Sequence, residues 1–143
     1  MDEGIARLEI WDTVGQERFN SLCKMYMRAS HAALIVFDIT NAASFETTTR
    51  WVDEVRSGLD RCIIFLLGNK LDLQADRRVS TERAKLYADE HNIHYVETSA
   101  VEQINVNETL QQLSMQLLTS SIPIIDPTPL PQPVTSNNSC CYS

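Results

Sequence analysis

No run of lysines or arginines occurs anywhere in the 143 residues, which carry 12 basic against 19 acidic side chains for a formal net charge of -7. Gripping a nucleic-acid backbone needs clustered cations, so no nucleic acid is expected as a partner. Long apolar stretches are missing too. Ala32 to Phe37 and Cys62 to Leu67 are the longest, far short of the roughly 20 residues that cross a bilayer. The opening Met1-Asp2-Glu3-Gly4-Ile5 has no basic stretch ahead of an apolar core, so it does not read as a leader peptide. A soluble, intracellular protein is expected. Cysteines follow neither a disulfide framework nor a zinc spacing, since Cys23 and Cys62 stand alone and Cys140 and Cys141 are adjacent. That usage points to a reducing compartment. His31, His91 and His94 lack metal-ligand spacing, and no nucleophile pairs with them.

Proline is absent before residue 123. All five prolines (Pro123, Pro127, Pro129, Pro131 and Pro133) fall in a closing stretch without Lys or Arg and with one acid, Asp126. Such a segment buries too little apolar surface to offset its ordering entropy, so residues 120–143 are expected to be a disordered tail. Residues 1–119 then form one domain of ordinary size. The composition supports a real core, with 43% hydrophobic and 22% charged residues.

The body alternates strand and helix signals. Leu8 and Ile10 share one face of a short strand, and Phe19, Leu22, Met25 and Tyr26 recur at helical spacing. Ala32 to Phe37 reads as a strand buried on both faces, as parallel strands are. Ser44 is placed as the N-cap of a helix carrying Phe45, Trp51, Val52 and Val55, and Cys62 to Leu67 is the next buried strand. Ser80 caps a helix through about His91, and Ile93 to Val96 is a short strand. Asn105 with Glu108 caps a last helix with Val106, Leu110, Leu113 and Leu117 on one face. Repeated strand-helix units predict an α/β fold with a mostly parallel sheet and helices on both faces.

Three motifs follow predicted strands: Asp12 to Gln16, Asn69-Lys70-Leu71-Asp72, and Thr98-Ser99-Ala100. Ligands of open α/β sheets bind outside the carboxyl ends of the strands, so parallel strands place all three on one rim. A carboxylate accepting from two adjacent N–H donors fits guanine's Watson–Crick edge and rejects adenine, which makes Asp72 a base reader. Asp12 at a strand end suits a magnesium-linked carboxylate. Gly15 lets its backbone N–H approach a terminal phosphate, and Gln16 can orient a water for in-line attack.

These residues resemble the small GTPases of the Ras superfamily. The stretch Trp11-Asp12-Thr13-Val14-Gly15-Gln16-Glu17-Arg18-Phe19 looks like the second switch of Rab proteins in particular, and the resemblance runs on through Phe37-Asp38-Ile39-Thr40 to about Leu118. It implies GTP/GDP and Mg2+ as cofactors, with Asp12 reaching the metal through water and Gln16 catalytic. By the same resemblance Asn69 ties the loops together and bonds the base, Lys70 lays its stem over the ring, and Ser99 steadies Asp72. The Ala100 backbone N–H faces the guanine oxygen. Val101 stands where the family usually has Lys, which implies weaker base affinity. Trp11, Phe19 and Tyr26 match an effector surface for Rab effectors and regulators, although Trp11 serves equally well as a cover for apolar area.

Nowhere among the four glycines is there a Gly-x-x-x-x-Gly-Lys-[Ser/Thr] loop to cradle phosphates. The fold class expected is therefore an incomplete P-loop-type G domain with a disordered C-terminal tail. Without the backbone nest, its Lys and the direct magnesium ligand, weak nucleotide affinity and negligible GTP hydrolysis are expected of this polypeptide. The family's first strand would lie between those matching Leu8 to Trp11 and Ala32 to Phe37. Its absence leaves buried peptide groups unpaired at about 1 to 3 kcal/mol each, so those strands either pair with each other or the fold is marginal.

The chain ends Cys140-Cys141-Tyr142-Ser143, which resembles the double-cysteine prenylation endings of Rabs. A tail without cations needs two lipid chains to stay on a membrane, one on each cysteine. The resemblance thus implies prenylation machinery as a partner and residence on the cytosolic face of endomembranes, Golgi or endosomal. Three readings stand: the first is a Rab-like GTPase of vesicle traffic, the second a non-catalytic decoy that offers the second switch and a lipid tail to Rab partners. A fragment or splice product without a stable fold is the third.

Overall fold

A computed structural model of the chain describes residues 7–12, 30–59 and 61–120. Within them the order is β1 (Ala32–Asp38), α1 (Ala42–Gly58), β2 (Ile63–Asn69), a 3-10 segment (Leu71–Asp76), α2 (Thr81–Glu90), β3 (His94–Glu97) and α3 (Val106–Thr119). The strands form a three-stranded parallel sheet in the order β1-β2-β3. Parallel neighbours need crossovers, and α1 and α2 supply them.

Each strand splits its apolar side chains between two layers, as a period of two requires. Ile35 and Phe37 of β1 and Ile64 and Leu66 of β2 meet Phe45, Val52 and Val55 of α1 and Ala84 and Ala88 of α2. On the opposite face Phe65 and Leu67 pack with Leu113 of α3, flanked by Leu34, Val96 and Leu117. Helices therefore cover both faces, as the strand-helix rhythm predicts. Phe37, Phe65, Ile39 and Leu66 are among the largest fully buried side chains.

Four local expectations are corrected. Residues 7–12 hold no strand, and Ile10 and Trp11 are 64% and 46% exposed. Leu8 and Ile10 alternate correctly, but alternation needs a hydrogen-bonding neighbour, and no strand pairing among the described residues includes this segment. Nor does β1 pair with it. Strand β1 is not buried on both faces: among the described residues it is a sheet edge, and Val36 is 55% exposed. The cap of α1 is Asn41 rather than Ser44. Asn41 Oδ1 accepts from the Ser44 backbone N–H at 3.2 Å, which places Ser44 inside the first turn. Finally, Asn105 starts α3 in the left-handed region at φ 57° and its side chain makes no cap bond. Its amide donates instead to the Glu97 carbonyl at 2.8 Å, a longer-range partner that displaces the local box. Ser80 does cap α2, accepting from the Arg83 N–H at 3.2 Å.

Removing the observed cap tests this assignment. Asn41→Ala is expected to destabilise the domain by about 1 kcal/mol in urea unfolding, the usual cost of losing a side-chain cap. Equal stability of Asn41→Ala and the parent chain would contradict it.

The predicted tail lies outside the described residues from 121 onward, as do Gly15, Gln16, Phe19, Tyr26, Cys140 and Cys141. Among the described residues no helix is long and apolar enough to cross a membrane.

Candidate guanine-base site

Parallel register levels the strand ends that carry the motifs. Asp38 pairs with Asn69 across β1 and β2, and Gly68 with Glu97 across β2 and β3. The chain leaves β2 at Asn69 and turns at Lys70, whose φ of 69° lies in the left-handed region. A non-glycine residue there is strained by about 1 kcal/mol or more and persists only where surrounding contacts hold it. Those contacts are present: the Lys70 carbonyl accepts from the Leu73 N–H at 2.8 Å, and the Leu71 N–H donates to the Thr98 carbonyl at 3.0 Å. The second of these ties the β2 loop to the β3 loop.

Side chains complete the join. Ser99 is fully buried and its hydroxyl donates to Asp72 Oδ1 at 2.6 Å. Ser99 Oγ accepts in turn from the Glu102 N–H at 3.1 Å, which fixes the hydroxyl's direction. Asn69 Oδ1 receives the Ala100 N–H at 3.2 Å and the Thr98 hydroxyl at 3.4 Å. Asn69, Asp72, Ser99 and Ala100 are thus brought together from two loops 27 to 31 residues apart. The Ala100 N–H, expected to face a guanine oxygen, is engaged by Asn69 in this arrangement. Val101 is 83% exposed beside it. Asp72 shows no second hydrogen-bond partner among the described residues, and an ionised carboxylate with one bond made retains acceptor capacity for two further donors.

Glycine is required at position 68 by close approach. A Cβ built there would sit 3.0 Å from Tyr95 Oη and 3.1 Å from both Ile39 Cγ2 and Phe37 Cζ. Tyr95 belongs to a polar cluster beneath the β3 loop that sequence reasoning missed. Arg77 grips Glu97 through two bonds of 2.7 and 2.9 Å, while the hydroxyls of Thr81 and Tyr95 donate to Glu97 Oε1 at 2.8 and 2.7 Å. Burial alone would raise the Glu97 carboxyl, but hydrogen bonds from Arg77, Tyr95 and Thr81 outweigh it and hold it below the usual carboxylate range. Twenty residues separate Arg77 from Glu97, so no local pattern signals the pair. Glu97 immediately precedes Thr98-Ser99-Ala100, and the cluster therefore braces the loop that presents Ser99.

The phosphate end is thinner. Asp12 lies exposed in irregular backbone. Among the described residues no group of three or more His, Cys, Asp or Glu side chains is placed to hold a metal ion. Cys62 is no candidate nucleophile, because burial pushes its thiol up to about 11.

A parallel sheet covered on both faces, with Asn-Lys-x-Asp and Thr-Ser-Ala loops joined at its carboxyl rim, defines a partial Ras-like G domain. The Ras family model matches residues 1–119, and the chain belongs to that family as a Rab-type small GTPase. It is similar to Ras-related protein Rab5A of Oryza sativa subsp. japonica, 40% identical over 149 aligned positions that cover 99% of this chain and 73% of the relative. Ras-related protein Rab-5A of Dictyostelium discoideum is 43% identical over 118 positions, covering 82% of this chain and 59% of its own length. Ras-related protein Rab11B of Nicotiana tabacum is 39% identical over 143 positions, covering 96% and 66%.

Proposed function

We propose that this chain is a Rab-like small GTPase of vesicle-mediated transport that holds guanine nucleotide chiefly by its base. The Ser99-to-Asp72 hydrogen bond of 2.6 Å carries this reading. It fixes the carboxylate at the junction of two loops, where the N1–H and amino group of guanine can both donate to it. Asn69 bonds the base and joins the loops, Lys70 lies along the ring, and the Ala100 N–H turns to the guanine oxygen once the base competes for it. Magnesium, when bound with nucleotide, supplies charge neutralisation at the phosphates. Asp12 would hold it through water, and Gln16 would orient the attacking water beside Gly15. As the sequence contains no phosphate loop, affinity is low and hydrolysis negligible for the polypeptide on its own. Trp11, Phe19 and Tyr26 form the surface for Rab effectors and regulators. Prenyl groups on Cys140 and Cys141 hold the protein on the cytosolic face of an endomembrane.

Titration of the full chain with a fluorescent GTP analogue, with and without magnesium, tests the proposal. Weak binding that is competed by GDP but not ADP, and barely sensitive to magnesium, is the expected result. Tight magnesium-dependent binding would overturn the reading of impairment. Absence of any guanine-selective binding would remove the base site and leave the non-catalytic interaction protein.

A further inference from the structure

Asp38 closes β1 at the same level as Asn69, and it carries contacts that the base-site reading does not use. Its Oδ2 pairs with Lys70 Nζ at 2.6 Å. Its Oδ1 accepts both the backbone N–H and the hydroxyl of Thr40, at 2.8 and 2.7 Å. The Asp38 backbone N–H is itself held by Ser44 Oγ at 3.0 Å, and the Ile39 N–H donates to the Asn69 carbonyl at 3.1 Å. The carboxylate is thus locked by one oxygen and offers the other to the lysine of the Asn-Lys-x-Asp loop. That lysine stands on the left-handed residue of the turn.

We propose that Asp38 is a positioning residue of the base site, clamping the Lys70 ammonium so that its stem is ordered along the rim before the ring arrives. The inference rests on the base-site reading. A free lysine must lose rotamer entropy to lie against a ligand, and a lysine already held by Asp38 loses much less. Burial works against the charged Asp38 carboxyl, but bonds from Lys70 and Thr40 prevail and hold it below its ordinary range, so the clamp is charged at neutral pH.

The test is a double-mutant cycle on the full chain with GDP as the probe. Asp38→Asn keeps an acceptor for Thr40 while removing the charge, and it should weaken GDP binding about threefold to fivefold, the upper scale of a partly exposed ion pair. Asp38→Glu should restore much of the affinity. In a Lys70→Met background, Asp38→Asn should change the dissociation constant less than twofold, because the group it acts through is gone. A merely structural role would instead weaken binding equally in both backgrounds, which would overturn the proposal. So would tighter binding by Asp38→Asn, which would mean that Asp38 competes with the nucleotide for Lys70. Failure of the parent chain to bind GDP at all would sink the base-site reading itself, and the positioning role with it.

Discussion

Asp72→Asn is expected to weaken binding of guanine nucleotides by roughly 10²- to 10⁴-fold, the consequence of losing two charge-assisted hydrogen bonds of about 1.5 to 3 kcal/mol each. The asparagine can still accept from the Ser99 hydroxyl, so the loop junction survives and the loss is specific to the base. An amide presents one acceptor and one donor side by side. That pair no longer matches the two adjacent donors of guanine, but it matches xanthine, which keeps the N1–H and replaces the amino group by a carbonyl. Asp72→Asn should therefore prefer a xanthine nucleotide to a guanine nucleotide, reversing the order expected of the parent chain. Protein-detected NMR titration with both nucleotides reads the change even where the parent affinity is low. Equal guanine binding by parent and variant would show that Asp72 does not meet the base.

Glu97→Ala is expected to lower unfolding stability by about 2 to 4 kcal/mol, a large share of the roughly 5 to 15 kcal/mol available to a domain. The alanine removes the acceptor of four donor contacts at once and leaves the mostly buried Arg77 side chain without its carboxylate. The side chains of Arg77 and Glu97 keep 18% and 17% of their exposure, so water relieves part of the penalty. Loss of this brace should also loosen Ser99, and with it Asp72. The pH dependence has a defined sign. Because the Glu97 carboxyl titrates lower in the folded chain than in the unfolded one, its contribution is fully present above the unfolded value of about 4.3 and disappears as pH falls through the folded value. Glu97→Gln should flatten stability in that acid window while retaining the hydroxyl bonds. Urea unfolding between neutral pH and that window measures both effects, and a Glu97→Ala chain as stable as the parent would refute the bracing role.

Much of the site was legible because its elements speak locally. Asn69-Lys70-Leu71-Asp72 and Thr98-Ser99-Ala100 are contiguous; the first follows the apolar run Cys62 to Leu67, and the second follows the short strand predicted at Ile93 to Val96. Parallel strands then place both loops on one rim without further information. A hydrogen bond from the Ser99 hydroxyl to Asp72 joins the two loops. Asp38 was visible only as a letter in a motif. Its partner Lys70 is 32 positions away, on the next strand's end, and no spacing rule connects the two.

From Ala32 onward, the order of strands and helices, the two apolar layers and the placement of the Asn-Lys-x-Asp and Thr-Ser-Ala loops were set by residue pattern alone, since periodicity and turn chemistry act over a few residues. Tertiary structure decided everything that depends on a distant neighbour: the exposed Val36 on an edge, the irregular backbone at 7–12, the cap at Asn41, the Arg77–Glu97 brace and the Asp38–Lys70 clamp. A strand forms only where another backbone offers hydrogen bonds, and a charge settles only where the fold delivers its partner. Both conditions are met or missed in space rather than along the chain.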